Sequence, residues 1–382
     1  MRLNAAVEQA PSYPFLRIAH ARREAQERGI EIIDLTLGQP TDPAPAAVRT
    51  ALAKAAAELS LCEYPSTEGL PELREAIAGW IARRYDTVVD PGSELLPTLG
   101  AKEPIALLAR LFARPGDAIS VASPSYPVPQ RSAGAAGLEV VPQLISAAGS
   151  WLPDPEAIPW GRAAIVWVVN PHNPTGAVAP LALLGELAER CRRSGAILAV
   201  DETYSEFWFE GEAPHSALEL EDRSGVVVFN SLSKRSGLAG LRSGFMAGDG
   251  EILSRVRRHR SDVGTTPPAI IQLASIAAWS DEGHVVDARA GYAAKREVLR
   301  AGALAAGLEH AGGPAGIFLW LAVPGGDDER MLERLIERSL LMVPGSYLGA
   351  GGEGYLRAAL TPASARIDRA AELLASAALL AV

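Results

Sequence analysis

Between residues 93 and 248 the chain carries seven short apolar runs: SELLPTL, DAISVAS, LEVVPQL, AAIVWVV, AILAV, GVVVFN and SGFMAG. Helical or loop stretches separate them, and inside each run polar and apolar positions do not alternate. A strand that is apolar at consecutive positions is buried on both faces, and the intervening helices supply the cover. The pattern specifies a mostly parallel sheet flanked by helices, an α/β layer fold. Such sheets bind ligands beyond the carboxyl ends of their strands, so the residues that follow each run are read most closely.

Around this block the rhythm differs. A helical register runs from about Phe15 to Arg28 and stops at Gly29, after which EIIDLTLG reads as a strand. Amphipathic segments follow at 45–59 and 71–85, the second opened by Pro71 at the position where a missing N–H costs nothing. After about residue 265 come helical stretches at 267–281 and 284–308, then GIFLWLAV, a helix at 328–338, LLMVPGS, YLRAAL and a last helix from about 363. The expected organisation is a large domain at 41–280 and a smaller α+β domain at 281–382, to which an N-terminal segment at 1–40 contributes. With 382 residues, 48% hydrophobic and 21% charged, the chain has material for two such cores.

Charge and residue counts exclude several function classes. A net charge of −9 gives no general attraction for nucleic acid or anionic membrane. Its one basic cluster, RVRRHR at 255–260, reads as a solvated helix face. Two cysteines, Cys62 and Cys191, and six scattered histidines argue against a disulfide framework and a protein-built metal site. The first residues lack the apolar core of a signal peptide, and no uncharged apolar stretch reaches the roughly 18 residues of a membrane span. A soluble, cytoplasmic protein is expected.

Only four lysines occur: Lys54, Lys102, Lys234 and Lys295. Lys54 and Lys295 sit in Ala-rich helical patterns and are expected to be solvated. The other two follow strand-like runs, in notable company. AILAV leads into Asp201, Glu202 and Tyr204; GVVVFN leads into Ser231, Ser233 and Lys234, with Arg242 eight residues on. AAIVWVV leads into the turn NPHNPTG with Asn173, and SELLPTL into Gly100, Ala101 and Lys102 at a helix start. Singly these are ordinary caps and turns. Together they describe a cradle for a phosphorylated, electron-withdrawing aldehyde.

A lysine amine can bond covalently to a carbonyl, and Lys234 is the candidate. Asp201 would keep a pyridine nitrogen protonated, making the ring an electron sink. The amides of Ala101 and Lys102 would meet a phosphate at the positive end of a helix, helped by the Ser231 and Ser233 hydroxyls and the Arg242 fork. Asn173 and Tyr204 would donate hydrogen bonds to a ring oxygen, and Tyr126, in the SPSYP loop, would stack on the ring. Those parts name pyridoxal 5′-phosphate.

On these motifs the chain resembles the class I/II aminotransferases of fold type I over nearly its whole length. LTLGQPTDPAP is similar to the family's N-terminal glycine motif, which implies that the Gly38 amide meets the substrate carboxylate. YPSTEGLPELREAI matches the segment whose tyrosine, here Tyr64, reaches the phosphate of a partner subunit. YLRAAL matches the strand whose arginine, here Arg357, pairs with the substrate α-carboxylate. The resemblance therefore implies a homodimer with composite sites, acting on amino acids and 2-oxo acids.

Within the family the chain is similar to bacterial N-succinyldiaminopimelate aminotransferases of lysine biosynthesis. The carriers are Tyr13-Pro14-Phe15, YPST-x-G, SLSKRS with Arg235 behind the lysine, RSGF, and SIAAWSDEGHV at 275–285. It departs from their pattern at Gly237, where Asn is frequent, and at Lys102, where Arg is frequent. The implied reaction moves an amino group between L-glutamate/2-oxoglutarate and N-succinyl-LL-2,6-diaminopimelate/N-succinyl-2-amino-6-oxopimelate. A second cationic contact is expected for the distal carboxylates, with Arg17 and Lys102 as candidates. The alternatives are another specificity (aspartate, alanine, aromatic or LL-diaminopimelate), a C–S lyase on the same cradle, or a non-catalytic sensor fused to a DNA-binding module. The last is disfavoured by the acidic charge and by a fold that begins within the first 40 residues.

Overall fold

The computed structural model describes residues 15–58 and 63–376; Tyr13, Pro14 and Cys62 lie outside them. In chain order the elements are α1 (Phe15–Glu27), β1 (Ile33–Asp34), α2 (Ala46–Glu58), α3 (Pro71–Tyr85), β2 (Leu95–Thr98), α4 (Lys102–Phe112), β3 (Ala118–Ser123), α5 (Val128–Ala135) and β4 (Glu139–Leu144). Next come β5 (Ala163–Val169), α6 (Leu181–Ser194), β6 (Ile197–Asp201), β7 (Val226–Ser231), α7 (Leu232–Arg235), β8 (Gly244–Gly248), α8 (Gly250–Val263), α9 (Ala269–Ser280) and α10 (Gly283–Ala305). The remainder is β9 (Glu309–His310), β10 (Phe318–Ala322), α11 (Asp328–Ile336), β11 (Leu340–Leu341), β12 (Val343–Pro344), β13 (Tyr355–Ala359) and α12 (Ser364–Ala375).

The seven apolar runs form β2 to β8 of one sheet, ordered β2-β8-β7-β6-β5-β3-β4. Only β8 runs against its neighbours, β2 and β7; the other pairs are parallel. The lack of alternation has a direct cause. Ile165, Trp167, Val169, Ala199, Val227 and Phe229 enter one core, while Val166, Val168, Leu198, Val200, Val226 and Val228 enter the other. Each fully buried Val or Leu side chain contributes about 1.5–3 kcal/mol, so both faces hold the sheet.

Register gathers the strand ends. Val169 pairs with Asp201, Asp201 with Phe229, and both Ser231 and Thr98 with Gly244. The carboxyl ends of β2, β5, β6 and β7 therefore share one edge. Gly244 is required there, because a Cβ would lie 2.5 Å from the Asn230 carbonyl oxygen and 3.0 Å from the Gly100 Cα.

A second sheet, β12-β13-β10-β9, is antiparallel, and β1 pairs in parallel with β11. The Leu35 N–H donates to the Leu341 carbonyl (2.9 Å) and the Ala359 N–H to the Leu35 carbonyl (2.7 Å), so early and late parts of the chain meet. EIIDLTLG is a strand only at Ile33–Asp34. Beyond it the Asp34 carboxylate accepts from the Thr36 N–H (2.8 Å) and hydroxyl (2.6 Å), which turns the backbone out of the ladder.

Two expectations about basic residues are corrected. Lys295 is buried, not solvated: it pairs with Asp42 at 3.4 Å and lies over the Tyr292 ring. In RVRRHR, Arg260 is also buried. It pairs with Glu103 at 3.2 Å and donates to the Pro97 carbonyl at 2.7 Å, while Arg257 donates to the carbonyls of Ser93 and Leu95. Every third or fourth residue of α8 faces inward, and there the stem is buried while the guanidinium satisfies backbone carbonyls. Arg255 and Arg258 are exposed, as expected. No described helix is long and apolar enough to cross a membrane, and no group of three or more metal-ligating side chains occurs among the described residues.

Candidate active site

A cavity of about 460 Å³ opens at the carboxyl edge of the large sheet. Gly38, Ala101, Lys102, Tyr126, Asn173, Asp201, Tyr204, Ser231, Ser233, Lys234, Arg242 and Arg357 all line it. Tyr64 does not; its side chain is fully exposed on this single chain. Nor does Arg17, which pairs with Glu329 at 3.6 Å and lies over the Tyr347 ring, so it is removed as a wall of the cavity. Lys102 remains, with its ammonium 5.9 Å from the centre of the Tyr126 ring.

One wall is built for an anion. Helix α4 starts at Lys102 with no side chain capping it, which leaves first-turn N–H groups without helical partners. The Glu103 carboxylate accepts from the Leu99 N–H (2.6 Å) and pairs with Arg260, fixing the entry to the helix. Arg242 donates to the carbonyls of Leu99 (2.9 Å) and Ala239 (3.0 Å) and to the Ser233 hydroxyl (3.4 Å). The Ser231 hydroxyl bonds Ser233 Oγ at 2.8 Å. Gly100, at φ +71°, makes room for this fork: a Cβ there would lie 2.6 Å from Arg242 Nη2.

Asp201, also on the cavity lining, is buried at the end of β6, where its Oδ1 accepts from the N–H (3.1 Å) and hydroxyl of Thr203. Burial pushes its carboxyl up, while the Thr203 hydrogen bonds and the Lys234 charge pull it down. Burial, with the cations Lys102, Arg357 and Arg242 adding to it, pushes the Lys234 amine down to about 8. Its Nζ donates to the Gly38 carbonyl. Burial, then the Asp201 charge, raises the Tyr204 phenol.

A polar chain crosses the floor. Asn173 Nδ2 donates to the Tyr204 oxygen (3.0 Å), Asn173 Oδ1 accepts from Arg357 (3.2 Å), and Arg357 donates to the Thr36 carbonyl (2.7 Å). The Arg357 guanidinium lies 4.3 Å from the centre of the Phe318 ring. Sequence reasoning missed Thr36, Thr203 and Phe318 as lining residues. Thr203 had a signal, a hydroxyl two residues after a strand-end Asp. Thr36 acts through its backbone carbonyl and left none.

The cavity wall thus carries Lys102, Lys234, Arg242 and Arg357 against the single carboxylate of Asp201. An uncapped helix start, two hydroxyls and an arginine fork suit a phosphate; a buried carboxylate on the same cavity suits a protonated ring nitrogen; a lysine with a lowered pKa suits bonding to an aldehyde. This donor set fits pyridoxal 5′-phosphate.

The family model for aminotransferase class I and II matches residues 30–374. The LL-diaminopimelate aminotransferase of Dehalococcoides mccartyi is 34% identical, the match covering 98% of this chain and 99% of that one. An aminotransferase crystal structure from Neisseria meningitidis superposes with a TM-score of 0.90 at 35% identity, covering 98% and 99% of the two chains. A probable N-succinyldiaminopimelate aminotransferase from Thermus thermophilus superposes with a TM-score of 0.86 at 32% identity, covering 95% and 99%. Geometry and likeness agree, and the chain belongs to the class I and II aminotransferases, pyridoxal-phosphate enzymes of fold type I.

Proposed function

We propose that this aminotransferase moves the amino group between L-glutamate/2-oxoglutarate and a diaminopimelate-type amino acid, in the first place N-succinyl-LL-2,6-diaminopimelate. The observation that carries the reading is the excess of cations around one cavity. A cofactor phosphate and one α-carboxylate account for Arg242 and Arg357, and Lys102 is left for a second carboxylate. Glutamate has one. Succinylation turns the distal end of diaminopimelate from a zwitterion into a purely anionic group, which suits a lysine. The second reading, free LL-diaminopimelate, is favoured by the name of the Dehalococcoides relative.

When bound, pyridoxal phosphate supplies an aldehyde and an electron-withdrawing ring that takes up the charge left at a substrate α-carbon. The backbone amides of Ala101 and Lys102, with Ser231, Ser233 and Arg242, would hold the phosphate, and the Asp201 carboxylate would keep a proton at the ring nitrogen. Asn173 and Tyr204 would donate to the ring oxygen, and Tyr126 would cover the ring face. Arg357 binds the α-carboxylate, with the Gly38 backbone beside it. The Lys234 amine, lowered to about 8, would take the proton from the α-carbon as general base and, as general acid, deliver it to the carbon of the cofactor's aldehyde group, so that the amino group stays with the cofactor. The fully exposed Tyr64 is assigned to the phosphate site of a second copy of this chain, so that the working unit is a homodimer.

The test is a spectral screen of the cofactor-loaded protein. L-glutamate and N-succinyl-LL-diaminopimelate are each expected to bleach the visible band. Bleaching by free LL-diaminopimelate and not by the succinylated form moves the substrate to the second reading. Response only to aspartate, alanine or aromatic amino acids, or pyruvate release from cysteine-type substrates, overturns both.

A further inference from the structure

Directly behind Lys234 stand residues that touch no part of the cavity. The Arg235 side chain is completely buried, its guanidinium 5.5 Å and 5.0 Å from the ring centres of Trp80 and Trp279. It donates to the carbonyls of Ala278 (2.7 Å) and Asp281 (3.4 Å) and pairs with Glu282 at 2.9 Å. Next to it the Ser236 oxygen lies 2.8 Å from His284 Nε2, and His284 Nδ1 lies 2.9 Å from the Asp281 carboxylate. A proton on Nδ1 satisfies both contacts: Nδ1 donates to Asp281, and Nε2 accepts from the Ser236 hydroxyl. Ser236 Oγ also accepts from Arg235 at 3.4 Å.

The order Asp–His–Ser is that of a hydrolytic triad. Here, however, the serine is buried outside the active-site cavity, and its oxygen is already shared between Arg235 and His284. The group is better suited to holding something still. Helix α7 has four residues, too few to be stable alone. It carries Lys234, whose long, flexible stem delivers an amine only as accurately as its backbone is held. A misplacement of about 1 Å at a reacting group can cost about a hundredfold in rate. The segments SLSKRS and SIAAWSDEGHV, distant in sequence, meet in this brace.

We propose that Arg235, Ser236, His284 and Asp281 are positioning residues that lock α7 against the end of α9 and the start of α10, and so fix where the Lys234 amine acts. The proposal rests on Lys234 being the reacting lysine, and the experiment checks that separately. Wild-type holoenzyme is reduced with borohydride and mapped; label on Lys234 upholds the premise, and label elsewhere overturns premise and brace together.

The brace itself is read in S236A, H284Q, their double variant and R235K, all as holoenzymes mixed with L-glutamate. Each single variant is expected to slow the maximal rate of bleaching about tenfold while the half-saturating glutamate concentration changes less than about twofold. The pH midpoint of the visible band is expected to move by about half a unit or more, a readout that a purely structural role leaves in place. The double variant is expected to be no slower than the slower of S236A and H284Q, since both cut one chain. Unchanged rates and midpoints in the folded singles, or additive losses in the double, overturn the brace. R235K matching wild type in all readouts overturns the part given to Arg235.

Discussion

The two sides of the cavity are built differently. On the cofactor side, Asp201 and Ser231 end adjacent strands of a sheet buried on both faces, and Ser233 and Lys234 follow directly in the short helix α7. On the substrate side, Arg357 is joined to Thr36 across 321 residues of sequence. There the wall is a loop that leaves a two-residue strand, held by main-chain bonds to Leu341 and Ala359 and by hydrogen bonds from Thr361 and Arg357. The first side is preorganised by the core. The second is assembled from both ends of the chain with little ladder beneath it. That division suits a site where one group stays and two substrates take turns.

Breaking the cofactor side has the largest expected effect. Lys234→Ala removes the amine proposed to bond the cofactor and to act as general base, and is expected to lower the transamination rate by about 10⁴-fold or more in a glutamate half-reaction. A loss below about tenfold would move the base elsewhere. On the substrate side, Arg357→Ala is expected to cost about 2–5 kcal/mol in kcat/KM for every substrate alike, because it would remove the proposed buried, charge-assisted contact to the shared α-carboxylate. Lys102→Met is expected to act unequally, weakening glutamate about tenfold more than alanine. Arg17→Ala is expected to match wild type on both, and an unequal loss there would return Arg17 to the site.

How much of this could be read in the sequence follows the same division. The ends of β5, β6 and β7 and the residues just beyond them were legible, because strand, turn and functional side chain are contiguous in the chain. Contacts between distant segments were not. Lys295 reads as surface until Asp42, 253 residues away, is brought beside it. Arg260 reads as part of a basic face until Glu103 and the Pro97 carbonyl meet it. Gly237 shows the opposite case: at φ +68° it needs a residue that tolerates the left-handed region, and Gly and Asn both do. The departure from the family pattern there is conservative for the backbone.

Gly100→Ala forces a side chain into the left-handed region, at about 1–2 kcal/mol, and pushes on Arg242. Cofactor affinity in equilibrium titration is expected to fall about tenfold with the α-carboxylate contact untouched. Weakest is a pH effect on the cofactor-free protein. Lys234 is lowered in the folded state to about 8 from its ordinary 10.5, so between those values the unfolded chain binds more protons. Stability therefore rises with pH across that window, and Lys234→Met is expected to flatten the rise in chemical denaturation.

Of the four lysines, Lys234 alone is expected to do the chemistry. Borohydride reduction of the cofactor-loaded protein, followed by peptide mapping, tests it directly. Modification confined to the peptide containing Lys234 is the predicted result. Modification at Lys102, Lys54 or Lys295 in place of Lys234 would contradict it.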